Sequence, residues 1–415
     1  MRRTAIVAGG GIGGLTAARA LAQRGWQVTV LERARQLGEV GAGIQLSPNS
    51  IKVLQALGVY DDLAAKAFRP EALEMRYGSS GRSIFRVDLQ NTAEQRWGAP
   101  YLHIARYDLI DALASPVPGV TVRSDSHVVS YRQDEKSVTV RLHDGQEVTA
   151  AVLVGADGIH SVVRTQMLGR GAPRFTGNVA WRMLVPVNKL GDLAPPPTAC
   201  VWVGDRRHAV TYRVRSGTYA NLVAVVEHSN WSSESWTEQG SRQDALADFH
   251  GWHPTITTLI DRADAHFRWA LYDRAPLPRW SEGRVALLGD ACHPMLPFQA
   301  QGAAMAIEDG WVLADQLDRH DNSPEALTKY TRLRLTRTST VQATSRDNAR
   351  RFHHGNTLYY RPWQLAARLR PQLFTHRFDW LYRTDVTQGA PATPSTPRAR
   401  STPHRNAASS DQQAT

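Results

Sequence analysis

Gly9-x-Gly11-x-x-Gly14 puts three glycines where an apolar strand could hand over to a helix. The first permits a tight turn, the second lets backbone approach a diphosphate, and the third lets helix and strand pack closely. The free N–H groups of the helix start would then face the diphosphate. Glu32, with Arg33 beside it, ends the next β-branched run, 18 residues after Gly14. A carboxylate there can accept hydrogen bonds from an adenosine ribose. An acidic rather than basic residue at that position argues against a 2′-phosphate.

Two further segments carry acidic chemistry. One is Val152-Leu-Val-Gly155-Ala-Asp157-Gly158-Ile-His160-Ser161-x-x-Arg164. The other is Val285-Ala-Leu-Leu-Gly289-Asp290-Ala-Cys292-His293-Pro294-Met295-x-Pro297, running on into Gln301-Gly302-Ala303-Ala304. Each is an apolar run ending in an aspartate beside a glycine, suited to hold ribose or ribityl hydroxyls. Pro294 and Pro297 stiffen the second loop. The helix starting near Gly302 would aim its positive end at the N1–C2=O edge of a flavin, where charge develops on reduction. His208 and Tyr212 lie four apart in a strand-like run, so they share a face and offer an acid/base pair. Cys292 and His293 read as packing residues, and no metal motif is present.

The elements that must position these residues follow from periodicity. Thr4–Ala8, Leu15–Gln23 and Gln27–Glu32 form a βαβ unit around the glycine loop. Pro48–Gly58 and Arg106–Ala114 read as helices. Val120–Arg123, Ser137–Leu142 and Val148–Val154 read as strands, with a turn at Asp144–Gly145. From Phe175 to Tyr272 a second sheet is expected, with strands at Val179–Val187, Ala199–Val203, Ala209–Arg215 and Leu222–Glu227. Seven of the twelve tryptophans fall between Trp181 and Trp280. Large aromatics there suit a pocket wall, although core packing explains most of them. Val285–Gly289 returns to a buried sheet. A helix spans Gly302 to Leu317, and Ser323-Pro324-Glu325 opens a long one. After Asp385 the chain becomes rich in Pro, Thr, Ser and Ala. That stretch reads as a disordered tail, removable without loss of folding or turnover.

With these three fingerprints in order, the chain resembles the single-component, FAD-dependent aromatic hydroxylases, the class A flavoprotein monooxygenases of the para-hydroxybenzoate hydroxylase fold. The nearest branch looks like salicylate hydroxylase, 3-hydroxybenzoate 6-hydroxylase and 6-hydroxynicotinate 3-monooxygenase. Supporting stretches are Gly41-Ala-Gly43-Ile44-Gln45-Leu-Ser-Pro48-Asn49, Trp269-Ala-Leu-Tyr272-Asp273-Arg274 and Phe378-Asp379-Trp380-Leu381-Tyr382. The resemblance implies an α/β fold: a Rossmann-like FAD-binding domain, an inserted mixed or antiparallel β-sheet substrate domain, and a C-terminal helical region. The expected division is 1–70, 101–172 and 276–320 for FAD; 71–100 and 173–275 for substrate; 321–385 for the helices; and 386–415 for the tail.

The resemblance also implies roles. Gly9, Gly11, Gly14, Glu32 and Arg33 would hold the ADP half of a non-covalent FAD. Arg106 would contact its diphosphate and ribityl region, although the residues alone favour a surface charge. Asp157 and Gly158 belong to a motif serving FAD and NAD(P)H, Asp290 would bind the ribityl chain, and Pro297, Gly302 and Ala303 would line the isoalloxazine. Gln45 and Phe298 would flank the flavin on the substrate side. Parts of this branch carry histidine at one or both of those places, so its absence argues against a pyridine substrate. The implied reaction uses NADH or NADPH and O2 to hydroxylate a small phenolic aromatic acid, salicylate- or 3-hydroxybenzoate-like, through a C4a-hydroperoxyflavin. Its electrophilic oxygen needs a phenolate-like ring, hence His208 and Tyr212 as candidate bases.

Composition bounds the alternatives. The chain has 415 residues, 42% hydrophobic and 21% charged, enough for more than one core. No apolar run approaches the ~20 residues of a membrane helix. The basic, then apolar, start resembles a signal peptide, but its glycines are spaced for a nucleotide loop and no clean cleavage site follows. Two distant cysteines exclude a disulfide framework and suit a cytoplasmic protein. The net charge of +11 sits mostly between Lys329 and Arg383, with twelve Lys/Arg against Asp347 and Asp379. That reads as a solvated basic helix face, or as a field that attracts anionic small molecules. No nucleic-acid or membrane partner is expected, and the protein should be a monomer or homodimer. A hydroxylase or epoxidase of larger natural products, a 6-hydroxynicotinate-type hydroxylase, an NAD-dependent dehydrogenase and a non-catalytic flavin-binding or nucleic-acid-associated protein are the competing readings.

Overall fold

Thr4–Ala8, Ile12–Ala22 and Gln27–Leu31 form the βαβ unit in the computed structural model, which describes residues 3–37, 43–169, 171, 173–228, 239–321, 323–370 and 372–388. Thr4–Ala8 lies inside a six-stranded sheet, between Val152–Gly155 and Gln27–Leu31. Val120–Arg123 closes one edge, and Val285–Leu287 with the short Ser281–Glu282 closes the other. All pairings are parallel except the last. The C-terminal ends of Thr4–Ala8, Val152–Gly155 and Val285–Leu287 therefore share one sheet edge. That places Gly9, Asp157 and Asp290 together, where ligands bind in open α/β sheets.

One expected strand divides. Glu147–Ala150 joins an antiparallel meander with Val138–Leu142 and Val128–Gln133, while Val152–Gly155 enters the parallel sheet. The pattern changes at Ala151: the first piece is largely exposed, the second buried throughout. Burial on both faces is the mark of a parallel-sheet strand.

The second sheet has seven strands in the order Phe267–Asp273, Arg174–Pro186, Tyr219–Glu227, Arg207–Val214, Ala199–Gly204, Ala72–Tyr77, Ser83–Asp88. It is antiparallel apart from the pairing of Ala199–Gly204 with Ala72–Tyr77. One face packs on helices Arg242–Asp248 and Pro254–Arg262 through Trp181, Trp202, Phe249 and Ile256. Those tryptophans are core, not pocket wall. The other face carries Val203, Val225 and Trp269 against Leu296, Phe298 and Phe352.

Helix Gly302–Arg319 leads into the 30-residue helix Ser323–Phe352. The chain then turns back. Asp379 accepts hydrogen bonds from Arg96 and from the Trp97 indole, and Lys52 Nζ donates to the carbonyls of Tyr382, Arg383 and Thr384. Val386, in the short helical turn Val386–Gln388, is buried in the first core. The described chain thus runs three residues past the boundary read from composition; the rest of the expected tail lies outside the described residues. A chain ending at Gln388 should melt with the parent. One ending at Asp385 should lose about 1.5–3 kcal/mol with the burial of Val386. Equal melting temperatures for the two truncations would contradict this packing. Among the described residues no helix is long and apolar enough to cross a membrane.

Candidate active site

Gly9 has φ +107°, and a side-chain carbon there would collide with the Ala156 carbonyl. A carbon on Gly14 would collide with the carbonyl of Gly9. Gly11 differs: an added carbon would meet nothing within 4 Å, so its backbone is open to a ligand. The following helix has no side-chain cap and no acidic residue in its first turn, which leaves its N–H groups for an anion. Glu32 is fixed beside this loop, with Oε2 accepting from Gly10 N–H at 2.7 Å and Oε1 from Ala34 N–H at 2.8 Å. Arg33 is exposed next to it.

Asp157 Oδ2 accepts from the N–H groups of Val162 and Val163 at the start of helix Val162–Leu168, while its Oδ1 is buried without a partner. Gly158 supports the turn at φ +78°. Arg164, from the same motif, donates to the Ala291 carbonyl at 3.2 Å and so ties the second fingerprint to the third. Asp290 is exposed to solvent at this sheet edge. The protein around it raises its carboxyl pKa by desolvation, against the opposing charges of His293 and Arg106. Arg106 is therefore within electrostatic reach of Asp290, and its Nε is buried and unpartnered. Gly302 and Ala303 begin a helix with no side-chain cap and no acid in its first turn. Two unsatisfied polar atoms, a bare glycine backbone and two uncapped helix starts fit FAD.

A cavity of about 280 Å³ lies between the second sheet, the Pro297–Ala300 loop and the C-terminal helices. Gln45, Pro297 and Phe298 line it together. Gln45 Oε1 accepts a 2.7 Å hydrogen bond from Tyr101, which sequence reasoning missed. His208 and Tyr212 do share a sheet face with the cavity residue Val210. They bracket it, roughly 13 Å apart at a strand's ~3.3 Å rise per residue, and neither is among the lining residues. Among the described residues no hydrogen bond or ring contact joins the two side chains. Tyr212 is buried, with its phenol against Gly43 and its ring 5.0 Å from His103. Burial raises its pKa, opposed by Arg182, so the phenol stays protonated and can donate but not act as base.

His208 is fully buried behind Phe298 and Phe352, at ring distances of 4.8 and 5.2 Å. Its Nδ1 lies 2.7 Å from His353 Nε2, and His353 Nδ1 lies 2.9 Å from Glu227 Oε1. Burial would push the Glu227 carboxyl up, but His353 and Arg206 hold it below its ordinary value. As a carboxylate it only accepts, so the His353 proton sits on Nδ1. His353 Nε2 then accepts from His208 Nδ1–H, which leaves a lone pair on His208 Nε2. That atom is buried and has no partner. Burial, and secondly the neighbouring His353, lowers the His208 pKa well below the ordinary imidazole value.

The model of a family described as "FAD binding domain" matches residues 2–345. The chain belongs to this family. It is 40% identical to a 3-amino-4-hydroxybenzoate 2-monooxygenase of Streptomyces cremeus, over 85% of this chain and 88% of that protein. It is 37% identical to a 3-hydroxybenzoate 6-hydroxylase of Polaromonas naphthalenivorans, over 92% and 96%. Among solved structures, a salicylate hydroxylase substrate complex superposes with TM-score 0.79 at 28% identity, covering 93% of this chain and 97% of that one. The protein is an FAD-dependent monooxygenase of the aromatic hydroxylase kind.

The flavoprotein has a buried polar network behind the third fingerprint that the sequence did not disclose. His293 Nε2 meets Asp309 Oδ2 at 2.5 Å, and Asp309 Oδ2 also accepts from Gly289 N–H at 3.2 Å. Arg334 pairs with Asp309 at 2.7 Å and Glu308 at 2.6 Å, and Arg337 with Glu308 at 2.8 Å. Asn49 donates to Glu308 at 2.7 Å, and Gln301 to Ser47 at 2.9 Å. His293 is thus a support for the Asp290 loop rather than a packing residue. Cys292, His293 and Asp309 converge within 4.8 Å. Asp309 is already engaged by Arg334, Gly289 and His293, and burial raises the Cys292 thiol, which donates to Gly289. This donor set fits an ion-pair network, not a cation site.

Asp290→Ala should weaken FAD retention by about 1.5–3 kcal/mol, the worth of a hydrogen bond to a charged group. Flavin released on dilution, followed by its fluorescence, measures this. Retention equal to the parent's would remove Asp290 from the FAD site.

Proposed function

We propose that the flavoprotein hydroxylates a small phenolic acid of the hydroxybenzoate class, consuming NAD(P)H and O2. Bound FAD would supply the electron transfer from NAD(P)H and the activation of O2. The chain's residues do the rest. The glycine loop, Glu32, Arg106 and Asp290 would fix the cofactor, and the Pro297–Ala300 loop would set a ring against it. The observation that carries the reading is the His208 Nε2 lone pair, held behind the cavity wall by the His353–Glu227 relay. With Phe298 turned aside, it would accept the phenol proton and make the ring electron-rich. The proton of His208 Nδ1 would move towards His353 and the partly exposed Glu227. Tyr212 would donate to, rather than deprotonate, the bound acid.

The cavity lies at the small end of ligand pockets, which run from roughly 300 to 1,000 Å³. This favours one ring over a larger natural product. Several relatives named 3-amino-4-hydroxybenzoate 2-monooxygenase are 39–40% identical, so that acid is a second specific candidate. Gln45 and Phe298 offer no titratable group to a pyridine, which places 6-hydroxynicotinate behind both. The reading includes a cytoplasmic monomer or homodimer, consistent with two buried free thiols. The test is a panel of 3-hydroxybenzoate, salicylate, 3-amino-4-hydroxybenzoate and 6-hydroxynicotinate, read by NADH or NADPH consumption and product mass. A mass gain of one oxygen on a hydroxybenzoate is expected. NAD(P)H oxidation unaffected by every acid would overturn the reading.

A further inference from the structure

One side of the cavity takes no part in that chemistry. It is built by the edge strand Ser83–Asp88 and by the helices after residue 360. Phe85 stacks on Phe374 at 4.8 Å, and Trp363 lies 6.4 Å from Phe85 and 6.3 Å from Phe374. Arg377 stands 4.9 Å over the Trp363 ring. Arg351, in the last turn of helix Ser323–Phe352, lines the same cavity. Arg377 is exposed and Arg351 half-buried, so the pair sits at a rim that solvent reaches.

Among the described residues neither guanidinium has a hydrogen-bond or ion-pair partner, unlike Arg334, Arg337 and Arg346 on the long helix that carries Arg351. The protein packed around the Arg377 stem, and secondly Arg351, lowers the Arg377 pKa. Glu74 lines the cavity but is not their counter-ion, being paired with Arg76 at 3.0 Å. Two like charges on one cavity rim, one of them over an aromatic wall, match a ligand with a flat apolar body and an anionic group. Guanidinium pairs carboxylates bidentately and stacks on rings.

We propose that Arg351, Arg377 and the Phe85–Trp363–Phe374 wall form an anion-capture site that selects aromatic carboxylates at the cavity rim. Its link to turnover rests on the proposed hydroxybenzoate reading; its binding preference does not. The test titrates the FAD-loaded enzyme with 3-hydroxybenzoate and with its neutral isostere 3-hydroxybenzamide, following the flavin spectrum at low and high salt. The parent should bind the acid more tightly, with a preference that salt reduces. The R351Q/R377Q variant should lose on the order of tenfold in acid affinity, a modest value because the pair is near solvent. Its amide affinity should hold. R351K/R377K should recover part of the loss, and the single variant R377Q, at an exposed position, reports if the double variant fails to fold.

Equal parent affinity for acid and amide, or equal loss of both in the variants, would overturn the capture site. Selective acid binding that the arginine variants abolish, with no hydroxylated product from any acid, would sustain the site and defeat the hydroxylation reading. Hydroxylation with an unchanged acid-to-amide ratio in the variants would do the reverse.

Discussion

His208→Gln should keep FAD and its reduction by NAD(P)H but lower hydroxylation by about 10²–10⁴-fold, the usual share of a positioned base. Reducing equivalents should then leave as hydrogen peroxide, because an undeprotonated ring reacts too slowly. The ratio of product to NAD(P)H consumed reads this directly. His353→Gln tests the relay. Without the second imidazole, one cause of the low His208 pKa is gone, so that pKa rises. The active form is neutral His208, so the acidic limb of the hydroxylation profile should move to higher pH in His353→Gln. A packing role for His353 would lower the rate without moving that limb. Tyr212→Phe should cost less than His208→Gln, since a protonated phenol supplies a hydrogen bond and not a base. Full coupling at the parent rate in His208→Gln would assign the base elsewhere.

Which parts of this site can be read in the sequence follows from how narrowly each job restricts residue type. A backbone that must approach a diphosphate tolerates glycine alone, so Gly9, Gly11 and Gly14 stand out. Strand-ending aspartates beside glycine stand out for a similar reason. Strand period two also places His208 and Tyr212 on one face, but it carries no information on which neighbour lies between them. Arg106 has no local signature; its meaning comes from Asp290, far away in sequence. The long helix is the clearest failure. Its buried stripe includes Thr331, Arg334, Thr338, Gln342 and Ser345, recurring at helical spacing. A hydrophobicity pattern looks for apolar residues on the inner face, so a polar inner face reads as solvated. Part of the basic surplus assigned to solvent is in fact spent on Glu308, Asp309 and Asp273. Val386 escaped for the opposite reason: one buried apolar residue in a Pro- and Thr-rich segment has no period.

Arg334→Met should destabilise the fold by about 3–5 kcal/mol, because it takes from two buried carboxylates the cation they share. Arg337 still reaches Glu308, and His293 still reaches Asp309, which favours the lower figure. Burial would raise the Glu308 carboxyl, yet Arg337 and Arg334 bring it down to about 2. Asp309 is likewise held low against burial by His293 and Arg334. A carboxyl lowered on folding stabilises the native state above its unfolded value, near 4.3 for a glutamate, and that stability is lost as pH falls through the folded value. The parent's melting temperature should therefore decline between about pH 4.3 and pH 2. In Arg334→Met the folded values rise towards the unfolded ones, so the variant should be less stable at neutral pH and lose less on acidification. The same change should loosen FAD, because Asp309 holds both Gly289 N–H and His293 beneath the Asp290 loop. Flavin release and melting temperature should move together. A shift below about 2 °C at neutral pH would mean that His293 and Arg337 alone hold the two carboxylates.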